Sequence, residues 1–220
     1  MDTAQSDRDW YIVSRWKEYE GEGRANLLRI IAVAAFYVVE LLNHYGLHVG
    51  SLQIAPVPGV NDRFHLAMTC VALVWVCVAL GIAVGLKQRF FPAALKYAST
   101  AADALVLTMV LLVGDGPRSP MIIGYFLIIA LAGLRFSLRL VWFASAAGVL
   151  GYLVIIANAY WYRTSFRVPR YHEIIFLIGL VLSGVITGQV IRRVRTMAIA
   201  YAERVGRADS ATLLDAGTAT

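Results

Sequence analysis

The sequence predicts an all-α membrane protein, a bundle of six transmembrane helices with both termini in the cytoplasm. Of its 220 residues, 59% are hydrophobic, and the mean hydropathy is +0.66. A soluble domain is about half apolar, and an apolar run of about 20 residues is long enough to cross a bilayer. The predicted spans are residues 25–49, 64–86, 98–113, 121–136, 138–162 and 171–190.

The distribution of basic residues predicts the orientation of these helices. With both termini inside, fifteen of the twenty Lys and Arg residues lie at the cytoplasmic side, and five lie outside. Cytoplasmic loops carry an excess of Lys and Arg, so this asymmetry favours the chosen orientation. Because the basic residues lie at helix ends, the net charge of +6 is explained without a nucleic acid partner.

Polar segments flank the predicted membrane domain. Aromatic residues on one side of the N-terminal segment favour an amphipathic helix lying on the membrane surface. Beyond the last span, Val190, Val194 and Met197 recur at steps of four and three, so we expect the helix to continue into the cytoplasm. The predicted segments are a leader at 1–24, the membrane domain at 25–190, an exit helix at 191–207 and a disordered tail at 208–220.

The third span is the least apolar of the six. Ser99, Thr100 and Asp103 lie in its cytoplasmic half. A carboxylate within a transmembrane helix is costly unless it is paired. We therefore expect Asp103 to pair with Lys96 or Arg135 near the cytoplasmic interface.

Small residues in the last span indicate close helix packing. Gly184 and Gly188 form a GxxxG pair. Such spacing lets a second helix approach the backbone closely, either within the bundle or between two chains.

Polar residues on the outer side of the bundle form the candidate functional site. Tyr37, Glu40 and His44 follow one another at steps of three and four, so they share one face of the first span. The chain's other histidines, among them His65 and His172, also lie toward the outer side. An ionisable group as deep as Glu40 predicts a functional site by default.

Three interpretations of this cluster remain open at this stage. It is a ligand pocket, for which the candidate residues are Tyr37, Glu40, His44, His65 and Tyr125. Alternatively, it holds copper, zinc or haem through His44, His65 and His172. In the third interpretation, the histidines are interfacial residues and Glu40 bonds a neighbouring helix.

Several stretches carry a resemblance to a known family. They are Tyr19-Glu20-Gly21-Glu22-Gly23-Arg24, Phe91-Pro92-Ala93-Ala94-Leu95-Lys96-Tyr97, and residues 125–137. With the six short-looped helices, they resemble the six-helix membrane domains of bacterial class III adenylyl cyclases and of quorum-sensing histidine kinases. The resemblance covers about residues 15–207 and implies a receptor or dimerising membrane domain. Unlike those proteins, this sequence has no catalytic domain after Arg207.

Together these observations predict a sensor rather than an enzyme. We expect a multi-pass protein of the bacterial cytoplasmic membrane that binds a small apolar or amphiphilic ligand without a cofactor. It would form a homodimer and signal through the exit helix to a cytoplasmic partner. The alternative function is a metal- or haem-binding redox or transport protein that uses the outer histidines.

Overall fold

The computed structural model describes the backbone of residues 3–49, 52–54, 62–88 and 94–218, and the side chains of residues 20–46, 62–88, 94–198 and 200. The described chain is helical apart from one short antiparallel hairpin. Its elements are α1 (Thr3–Tyr45), β1 (Leu47–Val49), β2 (Leu52–Ile54), α2 (Asp62–Lys87), α3 (Leu95–Val113), α4 (Gly124–Leu134), α5 (Leu138–Trp161) and α6 (Arg170–Thr218), with 3₁₀ turns at Gly116–Arg118, Pro120–Ile123 and Thr164–Phe166.

Five helical segments are long and apolar enough to cross a membrane. These segments are Glu20–Tyr45, Asp62–Lys87, Leu95–Val113, Leu138–Trp161 and Arg170–Ala198. Large aliphatic side chains on them point away from the bundle; Leu73, Leu150 and Ile178 are each more than half exposed. Exposed apolar surface of this extent suits contact with lipid rather than water. The structure thus confirms a helical bundle with several candidate membrane-spanning helices.

The fourth predicted span differs from a full transmembrane helix. Residues 121–136 were expected to cross the membrane, but the chain begins with a 3₁₀ turn at Pro120–Ile123 and α4 has only 11 residues. Together with the 3₁₀ turn, the apolar helical segment Pro120–Leu134 extends about 25 Å, which is shorter than the hydrocarbon thickness of about 30 Å. It lies among α1, α3, α5 and α6. Pro120 favours the turn at one end, and Arg135 and Phe136 end the helix at the other.

The first span also differs from its predicted bounds. Helix α1 is continuous from Thr3, so the leader and the first span form one helix, and Gly21 and Glu22 of the predicted leader are buried in the bundle. A Cβ on Gly21 would lie 3.3 Å from the carbonyl oxygen of Leu134, so glycine permits this close approach of α1 to α4. At the other end, α1 stops at Tyr45, and Gly46 has a φ of +72°, a common way to end a helix.

Helix α6 is longer than predicted. It continues through the predicted exit helix, and it remains helical to Thr218 across most of the tail predicted to be disordered. Alanine and leucine are frequent in this stretch, and both favour helix. Residues 219 and 220 lie outside the described residues.

The contacts define two ends of the bundle. At the end we call lower, Glu22 of α1 meets Arg135, and Gly133 of α4 meets Thr187 of α6. At the end we call upper, Gly114 lies near Phe64 of α2, and Arg163 donates to the carbonyl oxygen of Gly114. The lower end corresponds to the predicted cytoplasmic side. Between the ends, the core is formed mainly by α3, α4 and α5, with Leu180 and Ile191 from α6.

Helices α5 and α6 pack closely through a glycine of the GxxxG pair. A Cβ on Gly184 would lie 2.6 Å from Ser145 Oγ and 2.8 Å from Ser145 Cβ. Real side chains do not approach so closely, so any larger residue at position 184 separates the helices. In this chain, Gly184 therefore serves packing within the bundle.

Gly184→Ala is expected to destabilise the protein by about 1–3 kcal/mol, the usual cost of overpacking. Gly81→Ala is the matched control, because a Cβ on Gly81 would meet nothing within 4 Å among the described residues. There the change is expected to be neutral or stabilising, since alanine favours helix. Unfolding in mixed detergent micelles measures both variants. Equal losses of stability in the two would contradict the packing of α5 on α6.

Candidate functional site

A cleft at the upper end, called here the upper cleft, lies between α1, α2 and the connection from α3 to α4. Its volume is about 230 Å³. It is lined by Val33, Phe36, Tyr37, Val39, Glu40, Asn43, Phe64, Met68, Ala72, Trp75, Val110, Gly114, Asp115, Ser119, Pro120 and Met121. Mostly apolar walls with a few polar groups are typical of a small-molecule site.

A second depression lies between α5 and α6. Its volume is about 360 Å³, and its lining is entirely aliphatic, with Val149, Leu153 and Leu177 among its residues. It opens onto apolar surface that suits lipid. Because it offers no polar group to select a ligand, the upper cleft is the better candidate site.

Glu40 and His65 form a hydrogen-bonded pair between α1 and α2. His65 Nδ1 lies 2.9 Å from Oε1 and 3.1 Å from Oε2 of Glu40. The two side chains are only 13% and 19% exposed, Glu40 being the more buried. Pairing of this kind lowers the cost of placing a carboxylate inside a membrane bundle. Glu40 also lines the upper cleft, so its carboxylate serves both the pair and the cleft.

His44 packs against this pair one turn along α1. Its ring stacks on that of His65, with centroids 4.2 Å apart and planes 6° apart. Tyr45 meets both rings edge-on, and Nε2 of His44 lies 3.8 Å from Oδ1 of Asp62. The rings therefore join the upper parts of α1 and α2 beside the cleft, although neither histidine lines it.

Tyr37 is the second predicted residue that lines the cleft. Its hydroxyl group lies 3.1 Å from Thr69 Oγ1, which makes a further polar contact between α1 and α2. Tyr37, Glu40, His44 and His65 thus lie together at the upper end.

Tyr125 lies elsewhere. It is fully buried among α3, α4 and α5, and its hydroxyl group lies 2.8 Å from Thr108 Oγ1. A Cβ on Gly151 would lie 2.7 Å from the same hydroxyl, so glycine makes room for the ring. Since Tyr125 is not a lining residue of the upper cleft, we assign it to helix packing.

The predicted metal ligands are not assembled as a set. His44 and His65 stack face to face, whereas the ring of exposed His172 packs on neighbouring Tyr171. Among the residues that the structure describes, no group of three or more His, Cys, Asp or Glu side chains is placed to hold a metal ion. Binding of copper, zinc or haem stays an untested prediction.

A second polar cluster, called here the lower cluster, lies toward the other end of the same helices. Arg29 of α1 and Asp103 of α3 form a bidentate ion pair, with Nε–Oδ1 and Nη2–Oδ2 distances of 2.7 and 2.8 Å. Both side chains are almost fully buried. Arg29 also donates to Asn26 Oδ1, and Asn26 donates to the carbonyl oxygen of Ala79. The prediction that Asp103 pairs with Lys96 or Arg135 is therefore wrong, because its partner is Arg29.

Arg135 completes the lower cluster by pairing with Glu22. Its Nη2 lies 2.6 Å from Glu22 Oε1, and both side chains are at most 4% exposed. The same guanidinium donates to Ser99, to Thr100 and to the carbonyl oxygen of Lys96. Ser99, Thr100 and Asp103, which make the third predicted span the least apolar, therefore contact buried arginine side chains. In the adjoining turn, the Phe136 N–H donates to the carbonyl oxygen of Gly133, and Phe136 adopts a φ of +47°.

One face of α1 carries residues of both the upper site and the lower cluster. Glu22, Asn26, Arg29, Val33, Tyr37, Glu40 and His44 follow one another at steps of three and four. Sequence reasoning found only the upper part of this face. The same spacing, extended toward the N-terminus, would have found the lower part. Glu22 was instead assigned to the leader, and Arg29 was counted among the basic residues that set the orientation.

Trp75 links the upper cleft to the lower cluster. Its side chain lines the cleft and is 7% exposed. Its Nε1 donates a 2.9 Å hydrogen bond to Asp103 Oδ1, an atom that also accepts from Arg29. A group that enters the cleft therefore contacts a side chain directly bonded to the buried ion pair.

No protein-family model, curated protein or solved structure matches this chain. The resemblance to the membrane domains of cyclases and kinases therefore stays a prediction from sequence. The functional argument depends on the geometry of the upper cleft and the lower cluster.

Proposed function

We propose that the protein is a membrane receptor that binds a small amphiphilic ligand in the upper cleft. The upper cleft itself is the observation that carries this proposal: aromatic and aliphatic walls surround the mostly buried carboxylate of Glu40. Apolar walls favour the hydrocarbon part of a ligand, and the few polar groups orient its head. Ligand entry from the outer side follows from the predicted orientation.

The hydrogen bond of Trp75 supports a route for the signal. A ligand shifts an equilibrium between two helix packings only by the difference in its affinity for them. Contact with Trp75 supplies such a difference if one packing keeps the bond to Asp103 and the other does not. The Arg29–Asp103 pair would then respond to occupancy of the cleft.

The output of the receptor is proposed to leave the bundle at the lower end. Helix α1, which carries Tyr37 and Glu40, continues from the bundle back to Thr3, and α6 continues to Thr218. Either helix would change its tilt with the packing of the bundle. We propose that α6, as the exit helix, signals to a cytoplasmic partner in a homodimer in the bacterial cytoplasmic membrane.

The ligand site is tested with 2-phenylethanol, an amphiphile with one aromatic ring and one hydroxyl group. Wild-type protein in lipid nanodiscs is expected to bind it saturably, above the partitioning into empty nanodiscs. Ala72→Phe places a benzene ring within the cleft of about 230 Å³ and is expected to weaken binding at least tenfold. Equilibrium dialysis of the labelled alcohol measures both.

Val84→Phe is the matched control, because Val84 lies on the same helix and is 53% exposed outside the cleft. It is expected to bind like the wild type. If the wild type shows no saturable binding, or if both phenylalanine variants bind equally, the upper cleft is not the site.

A further inference from the structure

We propose that the ligand of the upper cleft is an organic cation, a small aromatic or aliphatic amine whose ammonium group pairs with Glu40. The inference rests on the proposed function, since it assigns a ligand class to the same cleft. Three observations carry it: the charge of the lining, the environment of Glu40 and the aromatic walls.

The lining contains acidic residues but no basic ones among the described residues. Glu40 and Asp115 are carboxylates, and no Lys or Arg is among the described residues that line the cleft. Arg29 lies beneath Trp75, but Asp103 holds it in a bidentate pair. Arg163 lies near the rim, where it donates to carbonyl oxygens at the end of α3. Within the cleft, the field therefore favours a positive ligand.

Glu40 keeps the capacity to bind a cation. A carboxylate has about four acceptor positions, and a single Nδ1–H from His65 occupies only part of them. An ammonium group that reaches the remaining acceptor positions would add a charge-assisted hydrogen bond that a neutral head cannot match.

The walls suit the rest of such a ligand. Phe36, Tyr37, Phe64 and Trp75 each contribute a ring to the lining. Aromatic faces attract cations, most strongly where water is excluded. Met68 and Met121 add thioethers, which adapt to ligands of different shape. At about 230 Å³, the cleft is smaller than a typical drug-sized pocket, so one ring with a short amine chain fits it best.

Three probes of similar size and different charge test the inference: 2-phenylethylamine, 2-phenylethanol and phenylacetate. They are assayed at pH 8 in nanodiscs of zwitterionic lipid, where the amine is protonated and the acid ionised. Wild-type protein is expected to bind the amine at least tenfold more tightly than the alcohol, and the carboxylate most weakly. Glu40→Gln is expected to reduce the advantage of the amine to less than about threefold.

Saturable binding of the alcohol by Glu40→Gln, at whatever affinity, shows that the cleft is intact. Asp115→Asn, at the exposed rim, is expected to reduce the advantage of the amine less than Glu40→Gln does. Glu173→Gln, a carboxylate outside the cleft, is the matched control and is expected to keep it in full.

Each contrary outcome has a distinct meaning. If the alcohol or the carboxylate binds wild-type protein as tightly as the amine, or if Glu40→Gln keeps the full advantage of the amine, the inference of a cationic ligand is wrong and the cleft remains a binding site. If 2-phenylethanol shows no saturable binding, the proposed function is wrong, and the inference, which rests on it, is wrong as well.

Discussion

Asp103→Ala is expected to destabilise the protein by about 3–5 kcal/mol, the cost of breaking a buried ion pair from one side. Arg29 would stay buried without a carboxylate to receive its two short hydrogen bonds. Trp75 would lose the acceptor for its Nε1 proton. The free energy of unfolding, measured in mixed micelles, reports the loss.

Two comparisons make this result specific. Glu20→Ala removes the exposed partner of Arg24, in a pair whose side chains are 53% and 72% exposed, and is expected to cost at most about 1 kcal/mol. The double replacement Arg29→Met with Asp103→Leu removes both charges and is expected to recover most of the loss, as with other buried pairs. A cost for Asp103→Ala no larger than for Glu20→Ala would contradict the buried pair.

Arg135→Ala is expected to have an effect of similar size, about 3–5 kcal/mol, because it leaves Glu22 buried and unpaired. Arg135→Lys is expected to recover only part of it. The guanidinium reaches Glu22, Ser99, Thr100 and the Lys96 carbonyl oxygen together. An ammonium group is compact and cannot reproduce that planar arrangement of donors. Thermal and detergent unfolding of both variants measures the difference.

Arg139→Ala is the control for Arg135, since Arg139 is an exposed arginine at the second position of α5. It is expected to change stability by less than about 0.5 kcal/mol, as surface substitutions usually do. Full stability of Arg135→Lys would show that charge alone, rather than the network of donors, holds α1, α3 and α4 together.

Hydropathy predicts the long helices of this protein well. The expected spans 64–86 and 138–162 differ by only one or two residues at either end from α2 and α5. Both helices expose apolar side chains over much of their surface, so burial in lipid leaves a continuous hydrophobic signal. The short α4 shows the limit of that signal, because the same composition also suits a helix packed inside protein.

The lower cluster could not be predicted from composition. Arginine near a membrane boundary usually reports topology, and Arg29 was interpreted in that way, whereas Arg135 was also a predicted partner of Asp103. Only tertiary packing shows that Glu22 and Asp103 meet them. Ser99 and Thr100 are polar residues within an apolar helix, which indicates a buried polar partner. The sequence alone does not determine which of its cations contacts them.

The upper site was predictable in part. Helical spacing places Tyr37, Glu40 and His44 on one face. The pairing of Glu40 with His65 depends on how α1 packs on α2, which spacing within one helix does not determine. Trp75 carried no sequence signal, because a tryptophan in an apolar helix is ordinary. Its role follows only from the hydrogen bond to Asp103.

Saturable binding of 2-phenylethanol, compared between wild-type protein and Ala72→Phe in lipid nanodiscs, tests the central claim most directly. The account predicts saturable binding by the wild type and by Val84→Phe, and at least tenfold weaker binding by Ala72→Phe. Equal binding by all three proteins, or none above empty nanodiscs, would contradict a ligand site in the upper cleft.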